Sequence, residues 1–453
     1  MRKVCKHGSA LLGRMIWLGM GLQVLLGFIW LLSNIGAEHS FGVDWSNGGP
    51  VNRAFMHWGA LYGWVIRLVM QVAQWVPIPY YSIVYCLQLL AAFGSGWFLL
   101  KKITNWGPHG CVCGTLAMLS VPMALQSHLA LAPYSFVASI VLVHWAFAIE
   151  LWKQKGWCIH KLVSMYLFWL LEILLLPEYL WFGAVPLLFV AFISLWNNRG
   201  KLRKKALTGV VLLGSILCIW IVGNGWQQGE DGCLNLRQML AAKSNWSNLY
   251  ELSGAWSYEV QQQFDGGLLR AACGNSEVFY EGFFDKMEQL PYKQQKDYLN
   301  QMIDVAWKLN GKRVVLEMAF DGMGYLMPAI IVSEQLDGKG FASLTGINYW
   351  YFIQNSTGLS SLYMGWYCIW AWLSLVLAIF MKGLEQLGTE RAVKYVAGYG
   401  CVKVLLPLTF MAIACACFYT LSRIGVYDYK ILSWWTVIWC LGTLLVAEKK
   451  KEE

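Results

Sequence analysis

Charge is scarce in this chain. Only 13% of its residues are Asp, Glu, Lys or Arg, about half the share of an average soluble domain. That shortage excludes an ordinary soluble globular protein. Soluble-enzyme signatures are missing as well. There is no P-loop, no G-x-G-x-x-G after a strand, no H-E-x-x-H and no G-x-S-x-G, so no ATP-driven, dinucleotide-dependent or zinc-peptidase mechanism is written in the sequence. Internal repeats and low-complexity tracts are also missing.

What the chain has is apolar length. It is 57% hydrophobic over 453 residues. Apolar stretches of about 17 to 25 residues recur, each long enough to cross about 30 Å of hydrocarbon. The expected class is an all-α polytopic membrane protein of about ten spans, read at about 15–35, 80–100, 111–127, 134–152, 162–177, 180–196, 206–225, 362–381, 404–421 and 431–447. Basic residues cluster at Arg2, Lys3, Lys6 and Arg14, at Lys101–Lys102, at Lys153 to Lys161, at Arg199 to Lys205, at Lys382 to Lys394 and at Lys449 to Lys451. Every second connection is therefore basic. Ten spans with both termini in the cytoplasm put all of these clusters inside. The basic start runs into the first apolar stretch without a small-residue cleavage site, so that span is read as retained. The 26 Trp and 22 Tyr suit interfacial belts. The net charge of +9 lies in short clusters between apolar runs. The expected partner is thus a lipid bilayer, with no nucleic acid, in a multi-pass cell-membrane protein.

Residues 54–76 compete for span status. They also carry a polar stripe, Arg53, His57, Arg67, Gln71 and Gln74, at helical spacing. The pattern predicts an amphipathic helix over 52–76 lying in the outer interface. Residues 226–361 carry charges of both signs and few long apolar runs. They read as a mostly helical extracytoplasmic domain between spans seven and eight, with helices over Ser257–Phe264 and Tyr292–Lys308. Three parts follow: a transmembrane module over 1–225, the outside domain over 226–361, and a three-span segment with a cytoplasmic tail over 362–453. Most of the thirteen Cys fall in spans or at their cytoplasmic ends, and Cys111 and Cys113 read as small apolar residues. Cys233 and Cys273 fall in the outside domain and are the disulfide candidates. Such a bond needs Cα atoms within about 7 Å.

Polar groups at the outer membrane face are the chemical candidates. Glu38, His39 and Asp44 stand in the run AEHSFGVDW just after span one. A carboxylate there suits a general base on an acceptor hydroxyl or a ligand for a divalent metal, although no metal-ligand spacing assigns one. Glu172, in LLEILLLPEY, lies inside span five, with Glu178 after Pro177 at its outer end. His144 sits in the middle of span four, and His128 in the short loop before it. Ionisable groups inside a bilayer are costly, and a buried carboxyl needs a partner. A lone intramembrane His is more often a helix-packing group.

This order of features resembles the GT-C glycosyltransferases, polytopic enzymes that transfer a sugar from a polyprenyl-phosphate or polyprenyl-pyrophosphate donor to an acceptor on the outer face. The resemblance is architectural and covers about residues 10–225. Span one leads into the acidic loop with Glu38, His39 and Asp44. An interfacial helix over 52–76 follows, then span two, then the hairpins 111–152 and 162–196. SVPMALQSHLALAPYSFVASIVLVHWAFAIEL resembles the family's third and fourth spans around their short outer loop. The resemblance implies transfer of a sugar from a polyprenyl-phosphate donor to a cell-envelope glycan, lipid or protein. Asp44 or Glu38 would be the base, Arg53 and Arg67 would hold the donor phosphate, and the outside domain would bind the acceptor. One departure stands out. Many members place a second acid between spans three and four, whereas QSHLALAPY has His128 and no acid. Three alternatives stay open. An envelope polysaccharide polymerase or ligase would rely on outside cations such as Arg237, Arg270 and Arg313. The others are a non-catalytic assembly protein and a transport protein.

Overall fold

The structure, a computed structural model, describes residues 2–36, 60–129, 131–153, 159–176, 180–197, 214, 241, 255–262, 289–326, 331–335, 341–343, 358–388 and 440–445. The chain divides into two compact units. One comprises Met1–Ile216, Ser356–Ala412 and Ser433–Glu453, and the other Leu217–Asn355 and Ile413–Leu432.

The described part of the first unit is a helical bundle. Its helices are α1 (Arg2–Asn34), α2 (Ala60–Ala73), α3 (Tyr80–Ile103), α4 (Pro108–Leu119), α5 (Pro122–His128), α6 (Tyr134–Lys153), α7 (Ile159–Leu175) and α8 (Leu180–Asn197), joined by α11 (Gly358–Gly388). Four of them contain segments long and apolar enough to cross a membrane: His7–Asn34, Tyr80–Ile103, Tyr134–Leu151 and Gly365–Leu384. These coincide with the sequence-read spans at 15–35, 80–100, 134–152 and 362–381. Leu18, Leu25, Phe28 and Leu32 of α1 and Ile369, Ile379 and Phe380 of α11 point outward. Apolar groups so exposed suit lipid, where no water has to be ordered around them. The span read at 404–421, all of 206–225 but Gly214, and most of 431–447 lie outside the described residues.

Helix ends fall at two levels. At one, Ser82 and Tyr81 at the start of α3 donate hydroxyl hydrogen bonds to the carbonyls of Ile35 and Gly36, at 3.0 and 3.1 Å. At the other, Glu150 near the end of α6 bridges Lys102 at the end of α3 (3.2 Å) and Lys161 at the start of α7 (2.8 Å). Two basic clusters that the charge pattern assigns to the same side therefore meet on one carboxylate. Lys101 lies over the Trp97 ring and Lys102 over Phe98, as snorkelling amines do.

The α1–α11 pair is held by small residues. A Cβ on Gly19 would stand 2.0 Å from the ring of Trp370, and one on Gly27 would stand 2.9 Å from the Tyr363 hydroxyl. Trp370 is itself stacked on Trp366, with centroids 5.4 Å apart, so it has little room to give. Without a hydrophobic force between helices in lipid, such close approach is what pairs them. Gly19→Ala is expected to destabilise the protein by about 1–3 kcal/mol through overpacking. Gly21, with nothing within 4 Å of its would-be Cβ, serves as the control. Its Ala variant should be neutral or slightly stabilising. Chemical denaturation in mixed micelles reads the difference.

Residues 111–127, read from sequence as one span, are two helices. The chain breaks at Ser120–Val121, because Pro122 has no N–H to continue the ladder and disfavours the helical conformation in the residue before it. In the second unit, α9 (Tyr258–Gln262) and α10 (Tyr292–Leu326) match the helices expected there, and α10 runs on past Lys308 through a kink at Asn310. Strands β1 (Ile331–Gln335) and β2 (Phe341–Ser343) add an antiparallel hairpin. Ser257 precedes α9, and its amide N–H donates to Gln301 of α10. The Glu259 carboxylate is held below its ordinary range by its own backbone N–H and by the Ser257 hydroxyl.

Candidate functional site

Helix α2 is the first element to place. It has 14 residues, a length of about 21 Å, too short to cross about 30 Å of hydrocarbon. It has three faces. Tyr62, Ile66 and Val69 are buried against the bundle. Trp64, Leu68 and Val72 are exposed and apolar. Arg67 and Gln71, one turn apart, are exposed and polar between these two faces. A helix with a packed face, an apolar edge and a polar edge suits the membrane–water boundary. The Arg67 guanidinium carbon lies 5.3 Å from the Trp64 ring centroid, within cation–π range.

Two irregular backbone segments lie inside the bundle, and each is closed by side chains. At the α4–α5 break, the Ser120 carbonyl accepts a hydrogen bond from Gln23 of α1 at 3.0 Å and another from the Tyr363 hydroxyl of α11. In the α5–α6 connection, the Ala132 carbonyl accepts from Gln88 of α3 at 2.9 Å. Gln23 and Gln88 are both buried. Non-helical backbone is tolerated at membrane depth when protein groups satisfy it in this way.

His128 ends α5 and is buried, with Nδ1 2.7 Å from Ser135 Oγ at the start of α6. It lines a cavity of about 30 Å³ together with Gly96, Thr115, Met118, Ser139 and Leu142. That is room for about two waters. The Thr115 hydroxyl donates to Cys111 O and the Ser139 hydroxyl to Ser135 O, each at 2.8 Å. His128 thus packs inside the protein, although sequence placed it in a short outer loop.

His144 of α6 and Glu172 of α7 meet. Nδ1 and Oε1 are 3.1 Å apart, and both side chains are 0% exposed. His144 Nε2 and Glu172 Oε2 have no partner among the described residues. A Cβ on Gly183 of α8 would stand 2.2 Å from Glu172 Oε2 and from Trp169. The glycine therefore lets α8 close over the carboxylate. Sequence flagged both residues as intramembrane ionisable groups without pairing them. No spacing rule could have done so, since they are 28 residues apart on different helices.

The chain matches no protein-family model, no curated protein and no solved structure. Assignments of chemistry therefore rest on residues alone. Of the sequence-read candidates, Arg67, His128, His144, Glu172 and Arg313 are described. Glu38, His39, Asp44, Arg53, Glu178 and the cysteines Cys233 and Cys273 lie outside the described residues. Among the described residues, no three His, Cys, Asp or Glu converge as a metal site. Cys111 is buried and Cys113 exposed, so the C-x-C pair points to different sides of α4 and makes no chelate.

Proposed function

We propose that the protein transfers a sugar from a polyprenyl-phosphate donor to a cell-envelope acceptor at the outer face of the membrane. The observation that carries this reading is α2. It is a short helix with a packed face, an apolar edge and a polar edge that carries Arg67, and in sequence it follows Glu38 and Asp44 and precedes the span-length α3. A polyprenyl donor keeps its tail in lipid and its phosphate at headgroup level. The edge that presents Arg67 beside exposed Trp64 and Leu68 suits both parts. Arg67, with Arg53, would bind the phosphate by charge-assisted hydrogen bonds. Glu38 or Asp44 would take the acceptor proton as the anomeric carbon leaves phosphate.

The test is transfer from polyprenyl-phosphate sugars by the full chain in lipid nanodiscs. Arg67→Gln is expected to raise the donor KM by about 10- to 100-fold, as the loss of one charge-assisted bond of about 1.5–3 kcal/mol requires. Absence of any transfer with a panel of such donors would overturn the reading.

Transport is the second reading. The interrupted α4–α5 helix and the intramembrane His144–Glu172 pair favour it, because transporters place broken helices and ionisable groups at membrane depth. Movement of a solute into sealed vesicles without a covalent product would select it.

A further inference from the structure

The connector between α2 and α3, residues 74–79, reads Gln-Trp-Val-Pro-Ile-Pro. Every residue of it is exposed, Trp75 to 88%. In sequence it continues the exposed apolar edge of α2, Trp64, Leu68 and Val72. No Asp, Glu, Lys or Arg occurs between Arg67 and Lys101. Apolar groups gathered in this way call for a cover other than water.

The backbone of the connector needs little water. Pro77 and Pro79 have no N–H. The amides of Gln74 and Trp75 donate to the carbonyls of Gln71 and Val72, at 3.3 and 3.0 Å, and the Ile78 amide donates to Val76 O at 2.7 Å. Unmet backbone donors are what ordinarily keep a loop out of hydrocarbon, and this loop carries few of them.

Helix α3 sets the level at which the connector lies. Lys101 and Lys102 mark one end of that helix, with their amines over the Trp97 and Phe98 rings. About 20 helical residues cover about 30 Å of hydrocarbon. Counted back from Lys101, they end near Tyr81. The Tyr81 hydroxyl bonds Gly36 O, just past the end of the span-length segment His7–Asn34, so two spans finish at this level. The connector adjoins it, where the interface favours Trp. What meets an apolar side chain there is lipid.

We propose that residues 75–78 form a wedge that seats among the upper acyl chains of the leaflet opposite Lys101 and Lys102, and so anchors the α2–α3 corner in that leaflet. The inference needs the span-length helices and does not depend on the transferase reading. Trp75, Val76 and Ile78 would enter the acyl region, with the proline-limited backbone just above them.

The experiment uses the full chain in nanodiscs, with a fluorescent amino acid in place of Val76. Quenchers are lipids that carry a nitroxide on the headgroup, near the top of an acyl chain or near its end, and iodide in the water. The expected result is greatest quenching by the shallow acyl nitroxide, with iodide quenching several-fold weaker than for the free fluorophore. The double variant Trp75→Glu, Ile78→Glu should lose most of the acyl-nitroxide quenching and regain iodide quenching. Both side chains are exposed, so the variant should fold, and an unchanged denaturation profile checks that. Should it unfold, the depth profile of the unsubstituted connector decides alone. Quenching that is greatest at any other depth, or from iodide, overturns the proposal. So does silence to every quencher, which would mean that a second copy or another segment covers the connector, and so does a folded double variant with an unchanged profile.

Discussion

His144→Ala is expected to destabilise the protein by about 3–5 kcal/mol if the His144–Glu172 pair is ionic, because it strands a carboxylate in a site with 0% exposure. If the pair is neutral, the cost falls to about 1–3 kcal/mol, that of an unmet buried hydrogen bond. Glu172→Gln separates the two cases. Gln keeps the shape and a hydrogen-bonding oxygen 3.1 Å from His144 Nδ1 but removes charge. A neutral pair tolerates it, whereas an ionic pair loses nearly as much as with Ala. The double variant His144→Leu, Glu172→Leu should cost less than the sum of the single losses, since it strands neither group. Denaturation in lipid–detergent micelles, taken around the full double-mutant cycle, checks all three. Additive losses would show that the contact carries no coupling energy. Steric control of the same site comes from Gly183, which must stay small for α8 to pass Glu172.

Asp44→Asn or Glu38→Gln is expected to slow sugar transfer by about 10²- to 10⁴-fold, the usual loss on removing a general base. Both substitutions keep side-chain shape and remove the negative charge that, on the proposed transferase reading, would take the acceptor's proton. The loss should fall in kcat, with donor KM little changed, because the base acts in the transition state and the donor phosphate is held elsewhere. Arg67→Gln should show the reverse split. The single-turnover rate with a polyprenyl-phosphate sugar in nanodiscs reads both. If both acid variants retain full transfer, neither residue is the base.

The two groups of residues differ in how legible they were from sequence. The α1, α3, α6 and α11 spans are legible because apolar length is a local property, set by bilayer thickness. Helix α2 is legible in part: it ends at Ala73 rather than at 76, with Arg67 and Gln71 one turn apart, and residues 52–59 of the expected helix lie outside the described residues. The break at Ser120–Val121 was visible as Pro122, but not as a break within a span, since Pro in a transmembrane helix is often absorbed by neighbours. Whether it is absorbed depends on Gln23 and Tyr363, which come from opposite ends of the chain. α10 gives a similar case: the helix expected over Tyr292–Lys308 runs on to Leu326 through a kink at Asn310 that no local pattern announced.

By itself, then, the sequence located the four helices long and apolar enough to cross a membrane, because hydrophobic transfer acts residue by residue along a segment. Tertiary structure alone decided which polar groups meet. It set Gln23 and Tyr363 on the Ser120 carbonyl, Gln88 on Ala132, Glu150 between Lys102 and Lys161, and His144 on Glu172. The physical reason is that a buried polar group must find a partner somewhere, while helix packing, through contacts such as Gly19 on Trp370 and Gly183 on Glu172, selects which one lies within reach.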